Sequence, residues 1–136
     1  MAIVRMARRL RQESGTEGET SPTLTAALAT VEREGPLTPS ALARHERIQR
    51  PTATRVVARL EEAGLVARTT DPADRRVSHV AITPQGRALL KRIRSRKNQY
   101  LAQRLRTLSP VERETLADAA AILERLLVDA DGSPRR

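Results

Sequence analysis

The sequence predicts a mainly α-helical fold that carries one small β-hairpin wing, and three observations point to it. A capping hydroxyl followed by proline recurs at Ser21-Pro22, Thr38-Pro39, Thr83-Pro84 and Ser109-Pro110, each ahead of apolar residues at helical spacing. Between residues 65 and 83 the apolar period changes from helical to two, as half-buried strands require. Phe and Trp are absent and Tyr100 is the single aromatic residue, so Leu, Val, Ile and Ala must build the core, which suits packed helices.

Residues 1–12 place Ile3, Val4, Met6, Ala7 and Leu10 at near-helical spacing and read as a short helix, followed by a polar linker from Gly15 to Ser21. Ser21 caps the second helix, whose stripe is Leu24, Ala27, Leu28 and Val31 and whose stop is Gly35-Pro36. A third, short helix opens at Thr38-Pro39 and reaches about Arg44, and His45 to Gln49 turn the chain. The fourth runs from Arg50 to about Ala63, with Val56, Val57 and Leu60 inward and Gly64 as its stop. Residues 65–70 and 77–83 are the strands, joined by the charged turn Asp71-Pro72-Ala73-Asp74-Arg75-Arg76. A long helix from Pro84 to about Thr107 keeps Leu89, Leu90, Ile93, Tyr100, Leu101 and Leu105 on one side. Ser109-Pro110-Val111-Glu112 is a capping box for the last helix, which carries Leu116, Ala119, Ala120, Leu123, Leu126 and Leu127.

Length and composition bound the function. A chain of 136 residues has room for one core. Its formal charge of +9 points to a polyanionic partner, nucleic acid or an acidic membrane surface. The absence of cysteine excludes disulfides, thiolate metal sites, cysteine nucleophiles and thiol redox sensing. The shortage of aromatic residues argues against single-strand binders that stack bases. No stretch approaches the roughly 20 apolar residues that span a bilayer, and the amino terminus lacks a signal-peptide core, so the cytoplasm is the expected address and no membrane is expected as a partner. His45 and His79 are isolated. No phosphate-binding glycine loop, nucleophile with a base, or metal-ligand cluster is legible, so no enzyme, cofactor or metal is expected.

Helix, tight turn, helix and hairpin in that order make a winged helix-turn-helix, in which the second helix enters the major groove of double-stranded DNA. Its polar set is Arg50, Thr52, Thr54, Arg55 and Arg59, with Pro51 in its first turn. Arg55 lies one turn in and can reach a guanine edge. Thr52 and Thr54 can meet phosphates or a thymine methyl, and Arg59 is better placed for phosphate. Thr38 and Ser40 sit at a helix amino end, where free N–H groups favour an anion. At the hairpin tip Arg75 and Arg76 suit DNA, an arginine being able to enter a narrow minor groove, and Asp74 can brace a neighbouring guanidinium.

The runs Leu37-Thr38-Pro39-Ser40-Ala41-Leu42-Ala43, Arg50 to Glu61 and Gly64-Leu65-Val66 resemble the DNA-binding region of the MarR family, and Asp71 to Arg76 with Val80-Ala81-Ile82-Thr83 is similar to its wing signature. The resemblance spans the chain. It implies that Thr52, Thr54 and Arg55 face the major groove, that Arg76 enters the minor groove held by Asp74, and that Arg75 lies near the backbone. It also implies a homodimer on a palindromic operator, often a repressor released by a small phenolic or anionic ligand. Gln49 stands where the family commonly has a small capping residue, and the first helix is short for the family.

The outer helices have more apolar surface than one small winged domain can cover, so a second copy is expected against Ile3, Val4, Leu10, Leu116, Leu123 and Leu127. The chain is expected to divide into an N-terminal dimerisation helix and linker (1–20), a winged helix-turn-helix (21–83), a long helix and C-terminal dimerisation helix (84–130), and a disordered tail (131–136). No acidic residue lies between Pro84 and Arg106, where eight cations run along the long helix. They read as a solvated face or as a cationic cleft for an anionic effector or DNA backbone. Two rival functions stand beside a sequence-specific regulator: a nonspecific architectural DNA binder and a winged-helix protein-interaction module. The arginines of the fourth helix and the wing count against the second.

Overall fold

The computed structural model describes residues 1–14 and 20–132, with side chains through residue 128. Its elements are α1 (Ala2–Glu13), α2 (Pro22–Glu34), α3 (Pro39–Glu46), α4 (Arg50–Glu62), β1 (Val66–Thr70), β2 (Ser78–Ile82), α5 (Pro84–Leu105) and α6 (Pro110–Gly132). This is the expected winged helix-turn-helix with a two-stranded antiparallel hairpin. The chain forms two compact units, Met1–Asn98 and Gln99–Arg136, divided inside α5. Most of the linker expected from Gly15 to Ser21 lies outside the described residues.

Each cap read from the sequence is made. The Ser21 hydroxyl accepts the Leu24 N–H at 3.2 Å and the Thr38 hydroxyl accepts that of Ala41 at 3.1 Å. Thr83 accepts the Gly86 N–H at 3.1 Å while donating to the Gly64 carbonyl at 2.7 Å, tying α5 to the end of α4. The capping box closes both ways: Ser109 accepts from Glu112 N–H at 3.2 Å, and the Glu112 carboxylate accepts from Ser109 N–H at 2.7 Å.

The core of the first unit is aliphatic. Leu28 and Val31 of α2, Leu42 of α3, Val57 and Leu60 of α4, Val80 of β2 and Ile93 of α5 are all fully buried. The hairpin pairs Val66 with Ile82, Arg68 with Val80 and Thr70 with Ser78. Leu37, just ahead of α3, adds a further rung. Its N–H donates to the Val80 carbonyl at 3.1 Å and its carbonyl accepts the Val80 N–H at 2.8 Å, so β2 is bonded on both edges. At the root of the hairpin α5 packs so closely that a Cβ on Gly86 would sit 2.3 Å from the Leu65 carbonyl oxygen.

Several boundaries differ from the sequence reading. Helix α3 continues through His45 and Glu46, so only Arg47 to Gln49 turn the chain. Its last turn is held because the buried Thr30 hydroxyl donates to the Glu46 carboxylate. Arg47 then takes the left-handed conformation (φ 53°, ψ 41°), its N–H reaching the carbonyls of Ala43 and Arg44 while the Ile48 N–H bonds Ala43 at 3.0 Å. This is a Schellman closure with arginine at the position glycine usually fills, at a cost of about 1 kcal/mol. Each strand is shorter than expected: ahead of β1 the Leu65 N–H turns back to the Leu60 carbonyl at 2.9 Å, and at β2 the Val77 N–H turns back to the Asp74 carbonyl at 3.0 Å while Thr83 already caps α5. Helix α6 runs two residues into the stretch assigned to the tail, and residues 133–136 lie outside the described residues.

Neither outer helix buries its stripe. Helix α1 has no buried residue, with Ile3 and Val4 about half exposed and Leu10 half-buried. In the second unit every described side chain of α6 is exposed, Leu116, Leu123 and Leu127 among them. There Arg113 donates to the Leu105 carbonyl at 3.0 Å, satisfying the end of α5.

Candidate nucleic-acid interface

Helix α4 separates cleanly into two faces. Ala53, Val56, Val57 and Leu60 are buried, while Pro51, Arg55 and Ala58 recur at helical spacing on the opposite, exposed side. Arg55 therefore stands at the centre of the solvent face, with Arg50 and Thr54 on one flank and Thr52 and Arg59 on the other. The Thr54 hydroxyl donates to the Arg50 carbonyl at 3.1 Å, so it offers outward an acceptor oxygen and a methyl group. Gln49 holds the amino end without a side-chain cap, leaving the first N–H groups of α4 open to an incoming acceptor.

Thr52, Arg55 and Arg59 share a groove of about 610 Å³ with Ser21, Thr23 and Leu24 of α2. Ser21 and Thr23 were not among the candidate residues read from the sequence, where Ser21 registers only as a cap. Thr38 and Ser40 are half-buried at the start of α3. The acidic residues of α4 lie at its far end, and Glu61 is engaged by Arg68 of β1 at 3.1 Å. The amino half of the exposed face thus carries no acid, only Pro51 beside its cationic and hydroxyl side chains.

The wing is built by its two aspartates. Asp71 accepts the Ala73 N–H at 2.8 Å and faces His79 Nε2 at 3.2 Å, pinning the start of the turn to β2. Asp74 accepts the Arg76 N–H at 3.0 Å and grips its guanidinium through both oxygens, Oδ1 to Nε at 3.1 Å and Oδ2 to Nη2 at 3.3 Å. The Arg76 side chain is nevertheless 91% exposed, so it is oriented without being covered. Arg75 is exposed beside it.

These bonds set the acidity of the turn. The Arg76 guanidinium, and then its N–H, hold the Asp74 carboxyl below the ordinary aspartate value; the Ala73 N–H, then His79, do the same for Asp71. Both carboxyls bind protons less readily in the folded wing than in an unfolded chain. Their support for the turn is therefore complete above the usual aspartate range, near pH ~4, and is lost as pH falls through the depressed values. Carbon-detected NMR titration should find Asp74 titrating below a free aspartate and rising toward it in Arg76→Ala. An Asp74 that titrates normally in the unaltered chain would show that the grip does not persist in solution.

The cations of α5 are not one set. Arg94 pairs with Glu32 of α2 at 2.8 Å and Arg96 donates to the Ser14 carbonyl at 3.3 Å, so both tie helices together. Arg87, Lys91 and Arg92 are exposed. Lys97 and Arg11 border a smaller cavity of about 240 Å³ between α1, α2 and α5. In the second unit Arg104 stacks over Tyr100 at 5.2 Å. Among the described residues no helix is long and apolar enough to cross a membrane, and no group of three His, Cys, Asp or Glu gathers to hold a metal.

Known proteins share this arrangement. The MarR family model matches residues 20–78, from the cap of α2 to the start of β2. An uncharacterized HTH-type transcriptional regulator of Mycobacterium leprae is 37% identical over 134 residues, covering 98% of this chain and 91% of that protein, and one of Mycobacterium bovis gives the same figures. Among solved structures, a putative transcriptional regulator from Pseudomonas aeruginosa superposes with a TM-score of 0.82 at 29% identity, over 93% of this chain and 88% of that one. A mutant of S. aureus MepR, solved bound to an oligodeoxyribonucleotide, shares the fold with a TM-score of 0.73 at 21% identity over 93% of each chain. Family, full-length likeness and an exposed recognition helix beside an arginine wing agree: the chain belongs to the MarR family of DNA-binding transcriptional regulators, which are not enzymes.

Proposed function

We propose that the chain acts as a homodimeric repressor on a palindromic operator and is released by a small anionic or aromatic ligand. The observation that carries this reading is the exposed face of α4, where Arg55 stands centrally among hydroxyls with no acid on the amino half. Thr52, Thr54 and Arg55 take the major groove, and Arg50, Arg59, Thr38 and Ser40 meet phosphates. Arg76, aimed by Asp74, enters the flanking minor groove with Arg75 on the backbone beside it.

The dimer is supported by exposed Ile3 and Val4 on α1 and Leu116, Leu123 and Leu127 on α6, whose burial against a second copy is worth about 25 cal/mol per Å². Two-fold symmetry then matches two half-sites. The ligand reading is supported by the cavity bordered by Arg11, Lys97 and Ile93. Thr25 Oγ1 at its wall is buried and has no hydrogen-bond partner among the described residues. An apolar cavity of about 150 Å³ already admits benzene, so a small aromatic carboxylate is of suitable size.

Selection of duplexes from a random pool tests the reading. A regulator should enrich one palindrome over random DNA by roughly 4–10 kcal/mol, bound as a dimer in sedimentation. Uniform recovery of all duplexes would instead mark a nonspecific architectural protein and overturn the proposal.

A further inference from the structure

We propose that the groove between α2 and α4 seats the sugar–phosphate strand that borders the major groove, with Thr23 of α2 and Arg59 of α4 closing on one phosphate. The groove encloses about 610 Å³, more than a lone phosphate group needs. Beside its hydroxyls and guanidiniums it is lined by Leu24 and Val56. The polar set suits phosphate oxygens, and the two aliphatic side chains suit the deoxyribose that joins one phosphate to the next. Side chains make this site, because the end of α2 is already closed. The Leu24 N–H is taken by the Ser21 hydroxyl at 3.2 Å and the Thr25 N–H by the Ser21 carbonyl at 2.9 Å.

Charge points to the occupant. Arg33, Arg68, Arg76 and Arg94 each pair with a carboxylate. Arg55 and Arg59 have no such partner among the described residues, and the exposed Thr23 hydroxyl is equally unengaged. No Asp or Glu occurs from 20 to 31 or from 47 to 60, so neither wall of the groove carries an acid. The two guanidiniums stand one helical turn apart, a spacing at which like charges repel, and an anion between them turns that repulsion into a shared contact. Arg59 keeps its charge at any working pH and can bridge two phosphate oxygens. With Arg55 on a base edge, the outer wall of the groove, where Thr23 stands, faces the strand that flanks the major groove.

The inference rests on the docking mode proposed above, and its test separates the two. Thr23→Val removes the hydroxyl at nearly constant shape, Thr23→Ser keeps it, and Arg59→Gln removes the charge. Each is compared with the unaltered chain for thermal midpoint and for affinity, across salt, toward the selected duplex and a shuffled one. Thr23→Val should melt with the unaltered chain yet bind both duplexes about tenfold more weakly, because a phosphate contact positions without specifying. Thr23→Ser should bind as the unaltered chain does. Arg59→Gln should make the slope of log affinity against log salt shallower by about 0.9 for each lost contact, whereas Thr23→Val should leave the slope in place. A neutral methylphosphonate, moved along the selected duplex, should find one position per half-site that weakens the unaltered chain and has little further effect on either variant. Unchanged affinity in Thr23→Val overturns the proposal, as do two variants that map to different phosphates. So does inorganic phosphate that stabilises the DNA-free chain through Thr23 while Thr23→Val keeps its DNA affinity, which would make the groove a site for a free anion. Should Thr23→Val not fold, Thr23→Ala carries the same comparison. An Arg55→Ala chain that keeps its operator preference overturns the docking mode; one that loses it, beside an unaffected Thr23→Val, overturns the phosphate contact alone.

Discussion

An Arg55→Ala chain is expected to bind DNA but to lose most of its preference for its own operator. The guanidinium leaves the centre of the exposed face of α4, one turn from the amino end, where a bidentate contact to guanine O6 and N7 is geometrically open. Such a contact discriminates by about 1–3 kcal/mol, and a dimer carries two, so the ratio of operator to shuffled-duplex affinity should fall roughly 30-fold to 10⁴-fold. Binding to shuffled DNA should weaken far less, because Arg50, Arg59, Arg75 and Arg76 remain. Competition between the two duplexes at one salt concentration measures the ratio directly. An unchanged ratio would move base reading from Arg55 to Thr52 and Thr54.

Gly86→Ala should be strongly destabilising, against the usual gain of about 1 kcal/mol when alanine replaces glycine in a helix. The new methyl would lie 2.3 Å from the Leu65 carbonyl oxygen and 2.8 Å from Ile82 Cγ1. The first obstacle is backbone that already accepts the Thr83 N–H at 3.0 Å, so it cannot swing away without opening the root of the hairpin. Overpacking of this kind costs about 1–3 kcal/mol or more, and a loss of about 3 kcal/mol lowers the melting midpoint by roughly 10 °C. Thermal unfolding followed by circular dichroism reads this. A variant that melts with the unaltered chain would mean that α5 and the hairpin root slide apart at no cost.

Local chemistry made most of the fold legible. Ser21-Pro22, Thr38-Pro39 and the capping box at Ser109 each announce a helix through side chains that bond their own backbone within three residues, so no distant partner is needed to see them. Asp74 gripping Arg76 is equally local, two residues apart. What stayed hidden depends on contacts distant in the chain. Helix α3 outlasts its apolar pattern because Thr30, sixteen residues away, holds Glu46. The rung between Leu37 and Val80 leaves no period, since a single paired residue has none. Arg47 in left-handed backbone is invisible for a different reason: at that position sequence patterns lead one to look for glycine. The groove that Ser21 and Thr23 share with Arg55 follows from packing of α2 on α4, which no spacing encodes.

The rung between Leu37 and Val80 bears on more than sheet geometry. It joins the strand that carries the wing to the residue preceding the cap of α3, through two bonds of 3.1 and 2.8 Å. Hairpin and helix pair therefore move together as one piece rather than as a reading head with a loose appendage. With Arg55 and Arg76 in the grooves proposed for them, the distance between the two points of contact is constant, and the molecule works as a fixed gauge laid along the duplex. One inserted base pair turns the far contact by about 35° around the DNA axis, which a rigid gauge cannot follow. On that docking, the separation between the major-groove site and the flanking minor groove becomes part of what is recognised, measured by backbone hydrogen bonds that never touch DNA.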